Sequence, residues 1–342
     1  MNKKFFMGIA AMAALTLVSC SSDDLDSLSD NSSKNEAISF DGYLGRSAVA
    51  VNGSRGSVLE IADLQKSKDG FGVFGNYNST GGQEFGSNLF NNVKVAYDAS
   101  AETKAWTYSP LKYWPTDGHV DFLAYAPRVD NKQLKGSSID FTVESDAANQ
   151  KDLLWANATS QTKANKPVTF KFKHALAKIG YKVQLNGDYT GTTIKLNKIT
   201  LAGSNDGKGT NKAFYKTGTI DLSYTSTTKL WTPSEEKQDF EWFSGDEQLS
   251  KTPTVENPTT KYLFVIPQNF KTGTDQLYVI VEYTITYSDN TTVKTKVCKQ
   301  LEKEFLQGKA YTINLTIGLT PIEFNATVDG WGDIEDYPIT LE

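Results

Sequence analysis

Catalysis needs side chains that move protons, attack carbonyls or hold metals, and this chain of 342 residues offers few of them in usable spacing. Its two histidines, His119 and His174, both sit in strand-like runs beside aromatic or aliphatic neighbours, so neither a zinc centre nor a Ser-His-Asp triad has much to draw on. His174, within Phe172-Lys173-His174-Ala175-Leu176, is expected to be a packed or interdomain residue. Asp333, Glu335 and Asp336 beside Trp331 would form a glycosidase pair only if the fold carried them to a cleft, and they read as solvated charge near the C-terminus. Cys298 lies between Val297 and Lys299 with no histidine close in sequence, and reads as a small packing residue. The breaks Ser79-Thr80-Gly81-Gly82 and Ser204 to Gly209 lack Walker spacing and a following helix, so they are loops rather than phosphate cradles. Trp106, Tyr108, Tyr113 and Trp114 cluster, either as a sugar-stacking platform or as strand-facing core aromatics, and the core accounts for most of them. No catalytic, cofactor-binding or metal-binding residue is expected, and the chain is not expected to be an enzyme.

The strongest chemical signal is at the N-terminus. Met1-Asn2-Lys3-Lys4 is basic, Phe5 to Val18 is apolar, and Leu17-Val18-Ser19-Cys20 is a small-residue approach to a cysteine. This is the pattern of a lipoprotein signal peptide over residues 1–19, with Cys20 as the lipidated mature terminus. The apolar run is shorter than the ~20 residues of a membrane-spanning helix. From Cys20 to residue 37 the chain is a Ser/Asp/Asn-rich acidic tether, too polar to bury a core. With Cys20 lipidated, Cys298 has no partner for an intrachain disulfide. Cleavage would move the formal charge from −5 to −7, an acidic balance that argues against nucleic acid or an anionic membrane surface as partner.

The rest of the chain reads as all-β. Tyr, Phe, Val, Ile and Thr recur in period-two runs separated by Gly, Asn, Asp and Ser. Leu277 to Tyr287, the turn Ser288-Asp289-Asn290, and Thr292 to Leu301 read as a hairpin. Tyr311 to Leu319 alternates cleanly, and the apolar phase shifts after Pro321. Two further phase slips, Phe170/Phe172/Leu176 into Ile179/Tyr181 and Ile194/Leu196 into Ile199/Leu201, suggest β-bulges. The polar stretch Asn157 to Lys166 marks a domain boundary, giving one β-sandwich over residues 38–167 and a second over 168–342.

Several blocks, in this order, resemble the Bacteroidales fimbrillin family. They are Trp106-Thr107-Tyr108-Ser109-Pro110-Leu111-Lys112-Tyr113-Trp114-Pro115 running on to Ala126-Pro127, Phe172-Lys173-His174-Ala175-Leu176-Ala177-Lys178-Ile179, Tyr262 to Gln268, and Gly308-Lys309-Ala310-Tyr311. The acidic cluster after Cys20 also resembles the surface-export signal of Bacteroidales lipoproteins. The resemblance runs from about residue 38 to the end. It implies two tandem β-sandwiches of transthyretin-like Greek-key topology, exported as a lipoprotein to the outer face of the outer membrane. It further implies a subunit of a type V pilus, serving adhesion to host or bacterial surface ligands and assembled by strand exchange after arginine-specific proteolysis.

Under that scheme Ile38, Phe40 and Leu44 would form a removable N-terminal strand, cut after Arg46 or Arg55. The alternative is an ordinary first strand followed by exposed arginines. The segment 321–342, with Ile322, Phe324, Val328 and Trp331, has the alternation of a donor strand for the next subunit, giving a head-to-tail filament of pilin subunits. The family contains stalk, tip and anchor subunits, so the tail either is donated or stays on its own body. A rival reading from the aromatic cluster is a surface glycan-binding lipoprotein of a polysaccharide-utilisation system, its binding carried by Trp106 and Trp114.

Overall fold

Short runs of β-branched and aromatic residues between Gly, Asn and Asp turns pleat into strands, because such side chains pack well on a half-buried extended surface. The structure, a computed structural model, describes residues 36–44, 61–100, 105–225, 229–252, 255–256, 262–319, 323–330 and 339–340. The first half carries β1 (Phe40–Leu44), β2 (Phe71–Asn78), β3 (Phe90–Asp98), β4 (Ala105–Thr107), β5 (His119–Ala126), β6 (Ser138–Thr142), β7 (Leu154–Gln161) and β8 (Val168–His174), with one short helix, α1 (Ile61–Lys66), before β2. Seven of these strands make one sheet in the order β1-β8-β7-β5-β2-β3-β4. β1 lies parallel to β8 at the edge, and the other pairings are antiparallel.

The second half carries β9 (Ala177–Leu185), β10 (Thr193–Ala202), β11 (Phe214–Tyr215), β12 (Thr217–Asp221), β13 (Trp231–Pro233), β14 (Lys237–Gln238), β15 (Phe240–Gln248), β16 (Val255–Glu256), β17 (Leu263–Val265), β18 (Gln268–Asn269), β19 (Tyr278–Thr286), β20 (Thr292–Gln300), β21 (Glu304–Phe305), β22 (Lys309–Ile317), β23 (Glu323–Gly330) and β24 (Ile339–Thr340). One sheet runs β15-β10-β19-β20, and a second runs β16-β9-β22-β23-β24 with β17 also on β9. The expected hairpin is β19–β20, in register from Tyr278/Gln300 to Thr286/Thr292. The expected bulge in β10 falls between Leu196 and Lys198. β22 and β23 are separate strands that pair antiparallel, so the phase change expected after Pro321 falls between two strands.

Two apolar clusters fill the interior. One is lined by the first half alone, with Ile38, Phe40, Phe71, Phe90, Phe122, Phe170 and Phe172 among its members. The other takes Phe74, Leu123, Tyr125 and Trp155 from the first sheet and packs them with Ile179, Tyr181, Leu263, Tyr311 and Ile313. β5 therefore has both faces covered, Phe122 and Ala124 towards one cluster and Leu123 and Tyr125 towards the other, which is why His119–Ala126 is apolar almost without interruption.

β8 belongs to the first sheet, so the sheet changes between His174 and Ala177, one strand later than a division at residue 167. The slip from Phe172 to Ile179 is this passage between sheets, not a bulge. β6 crosses the other way, pairing with β12. Trp231 Nε1–H donates to Ala175 O at 2.7 Å and so ties β13 to the crossing point.

Candidate functional site

The segment 36–44 is gripped on two sides. Residues 40–44 run along β8, Phe40 opposite Val168 and Leu44 opposite Phe172. Residues 36–38 instead pair with the 112–114 segment. Ile38 N–H donates to Lys112 O at 2.8 Å, and Trp114 N–H donates to Glu36 O at 2.9 Å. Between them Val168 N–H donates to Ser39 O at 2.8 Å. Tyr108 Oη–H donates to Ile38 O at 2.7 Å and accepts from Lys112 N–H at 3.3 Å, and burial pushes its phenol above the ordinary tyrosine range. Lys166 and Glu36 form an ion pair at the rim.

Period-two alternation sends Ile38 and Phe40 inward, 1% and 4% exposed, and leaves Ser39 and Asp41 in water. The Phe40 ring sits in a cage of Phe90, Tyr108, Phe122 and Phe170, with centroid separations of 5.4, 5.3, 5.5 and 5.6 Å. Two residues on, the cage closes. A Cβ at Gly42 would stand 3.5 Å from the Trp106 indole and 3.6 Å from the Phe172 ring. The seat is thus a slot of graded depth, deep at Ile38 and Phe40 and shallow at Gly42.

Of the residues singled out from the sequence, Ile38 and Phe40 are together in this slot. Leu44 is placed by its backbone alone, and its side chain lies outside the described residues, as do Cys20, Arg46, Arg55, Ile322 and Trp331. Phe324 and Val328 lie on β23, opposite Leu315 and Tyr311 of β22. The slot's other walls, Phe90, Phe122, Val168, Phe170 and Phe172, were not singled out as site residues. In the sequence Phe170 and Phe172 share one face by alternation, which does not say which strand that face meets.

The aromatic platform is not formed by its tryptophans. Trp106 and Trp114 are 7% and 5% exposed, their rings packed on Phe71 and Phe122, and of the cluster Tyr113 stands out at 50%. His174 Nδ1 lies 2.6 Å from Asp152 Oδ2, both buried, in keeping with a packed residue. His119 Nε2 lies 3.2 Å from Asp121 Oδ2. That buried carboxylate also accepts from Asn78 Nδ2 at 2.7 Å, Ser160 N–H at 2.7 Å and Glu84 N–H at 3.1 Å, which ties the end of β2, the end of β7 and the loop after β2 to β5. Burial pushes the Cys298 thiol up, with Lys296 opposing and Asp206 adding to the shift. Among the described residues, no group of three or more His, Cys, Asp or Glu side chains could hold a metal ion.

Comparison with known proteins bears on the whole chain. Over 98% of its length it is 26% identical to 98% of the fimbrium subunit Fim1C of Phocaeicola vulgatus. It is also similar to a crystal structure of a proposed cell adhesion protein of Bacteroides uniformis, at 16% identity and a TM-score of 0.49, covering 87% of this chain and 99% of that one. A third similarity is to the tip fimbrial protein Mfa3 of Porphyromonas gingivalis, at 11% identity and a TM-score of 0.38, covering 75% of this chain and 92% of that one. The model of the fimbrillin-like family matches residues 61–331, and the chain belongs to that family.

Proposed function

We propose that this protein is a structural subunit of a cell-surface fimbria, delivered to the outer membrane as a lipoprotein anchored through Cys20. In this reading arginine-specific cleavage at Arg46 or Arg55 releases β1, and the vacated slot accepts a strand from another subunit. The two halves act as tandem sandwich domains, and the tail from residue 321, with Ile322, Phe324, Val328 and Trp331, supplies the strand to a neighbour. The filament serves adhesion, and catalysis has no part in it.

The observation that carries this reading is the placement of β1. It is an edge strand between the tether and the arginines, so removing it breaks no interior pairing: β8 keeps β7, and the sheet keeps its order. Arginine distribution supports the same view. The chain has three arginines: Arg46 and Arg55 fall in sequence between β1 and α1, and Arg128 is held by Nε–H donating to Asn92 O at 3.0 Å and by an ion pair with Asp130. A protease that accepts arginine and rejects lysine would therefore have two of its three sites in the sequence between β1 and α1.

Incubating purified precursor with an arginine-specific protease tests this. Cleavage between residues 44 and 61, followed by a ladder of multimers, is the expected result. A chain that is cut there and stays monomeric would overturn the strand-exchange reading.

A further inference from the structure

Strand exchange alone does not say which residue fills which position, and the slot described above is selective. Its three inward positions differ in size, from the cage around Phe40 to the place at Gly42 where the Trp106 indole and the Phe172 ring stand 3.5–3.6 Å from a Cβ. At that separation a single methyl makes ordinary contact, whereas a longer side chain is driven into the indole. An incoming strand must therefore carry a large aromatic and, two residues later, Gly or Ala.

Near its C-terminus the chain repeats this sequence. Ile38-Ser39-Phe40-Asp41-Gly42-Tyr43-Leu44 is matched by Ile322-Glu323-Phe324-Asn325-Ala326-Thr327-Val328, with identical or similar residues at all four alternate positions. Ile-x-Phe occurs three times in the chain, and at the third site, Ile139-Asp140-Phe141, the residue two further on is Val143. Resting on the reading in which the tail from residue 321 refills the slot, we propose that β23 enters it in one register only: Phe324 takes the place of Phe40, Ala326 that of Gly42, and Val328 that of Leu44. A slip of one residue would turn Asn325 inward, and a slip of two would set Phe324 against the indole. β23 is already extended next to the last strand of its own sheet, held along β22 and by two residues of β24, so it can leave as a strand without refolding. Slot and donor are different patches of one sequence, so the contact is head-to-tail and propagates.

The test uses the full precursor in a Cys298→Ser background, cut with the arginine-specific protease. Ala326→Gly should preserve the multimer ladder and Ala326→Leu should reduce it at least tenfold. Because Ala326→Leu could disturb β23 on its own body, a second arm adds synthetic peptides to the unaltered protein during cleavage. A peptide of residues 321–329 should suppress the ladder, and the same peptide with leucine at position 326 should not. Register is read directly by disulfide trapping. Asp41 stands opposite Thr169, so Asn325→Cys in one copy should cross-link to Thr169→Cys in another and not to Lys173→Cys. A ladder undiminished by Ala326→Leu, equal suppression by both peptides, or trapping at position 173 overturns the register while leaving strand exchange standing. Absence of any ladder from the unaltered protein overturns both.

Discussion

Phe40→Ala in the uncleaved chain measures how firmly the first strand is seated. Burying a phenylalanine removes about 150–250 Å² from water. At ~25 cal/mol per Å² this is worth roughly 4–6 kcal/mol. Alanine keeps its own Cβ contacts, and a compact unfolded chain already hides part of the ring, which brings the expected loss to about 3 kcal/mol, the low end of Phe→Ala substitutions in cores. Because β1 is an edge strand with one β neighbour, most of this loss should favour local detachment of residues 36–44 rather than global unfolding. Native-state hydrogen exchange reads that opening at two amides bonded across the seat, Ile38 N–H to Lys112 O and Val168 N–H to Ser39 O. Their protection should fall by about 100-fold, since 1.4 kcal/mol is about tenfold. The Leu301 amide, bonded to Leu277 O beside the β19–β20 hairpin, is the control and should hardly move. The reasoning fails if protection at Ile38 and Val168 drops less than about threefold, or if Leu301 falls equally, because the segment would then not open as a unit.

Three other perturbations probe the body. Asp121→Ala strands the amide groups of Asn78, Glu84 and Ser160 without their acceptor, and at ~1–3 kcal/mol per unsatisfied buried donor a loss of about 3–5 kcal/mol is expected from denaturant unfolding. Trp231→Phe keeps the packing on Phe141 but removes the bond to Ala175 O, and should lower the unfolding free energy by about 1–2 kcal/mol; an unchanged midpoint would mean the bond ties nothing together. Burial raises the Cys298 thiol, so its reaction with a neutral disulfide reagent should be slower than that of a free cysteine at pH 8, and should keep rising beyond the pH at which free cysteine levels off. A rate that levels off together with free cysteine would contradict that environment.

Local alternation made the strands legible, and for that reason the hairpin β19–β20 and the bulge in β10 stand where the pattern puts them. What alternation cannot carry is sheet membership. Asn157 to Lys166 has the composition of a linker, yet its first half is the end of β7, half-buried or exposed, and its second half is a short 3₁₀ turn, Lys163–Asn165, capped by Thr162. A polar strand end followed by a capped turn looks like a boundary when only composition is seen. Trp106 and Trp114 fail in the opposite direction. Tryptophans close together suggest a stacking surface, but both indoles line the cluster that β1 helps to close, a fact set by pairings as distant as Ala37 with Tyr113. The seat of β1 was half legible. Ile38 and Phe40 announce an inward face, whereas the small residue at position 42 acquires its meaning only once the Trp106 indole is seen above it.

That detail bears on why a subunit could lose its first strand and survive. Among the described residues, Ile38 and Phe40 are two of the eighteen buried residues in their cluster, and the other sixteen lie in α1 or after it. With about 3 kcal/mol for Phe40 and 1.5–3 kcal/mol for Ile38, the two contribute ~4.5–6 kcal/mol, comparable with the 5–15 kcal/mol by which whole domains are stable. On the exchange reading this magnitude is what the mechanism requires. A much smaller contribution would give the vacated slot no drive to recruit a strand. A much larger one would leave the cut body unable to hold the slot's shape while it waits. The Phe90, Tyr108, Phe122 and Phe170 rings also contact one another, Phe90 with Tyr108 and Phe122 at 5.5 Å and Phe122 with Phe170 at 6.4 Å, so the walls support each other without Phe40 between them. A slot whose walls hold themselves up is selective about what refills it, and that is how a requirement for Phe followed by Gly or Ala can be enforced.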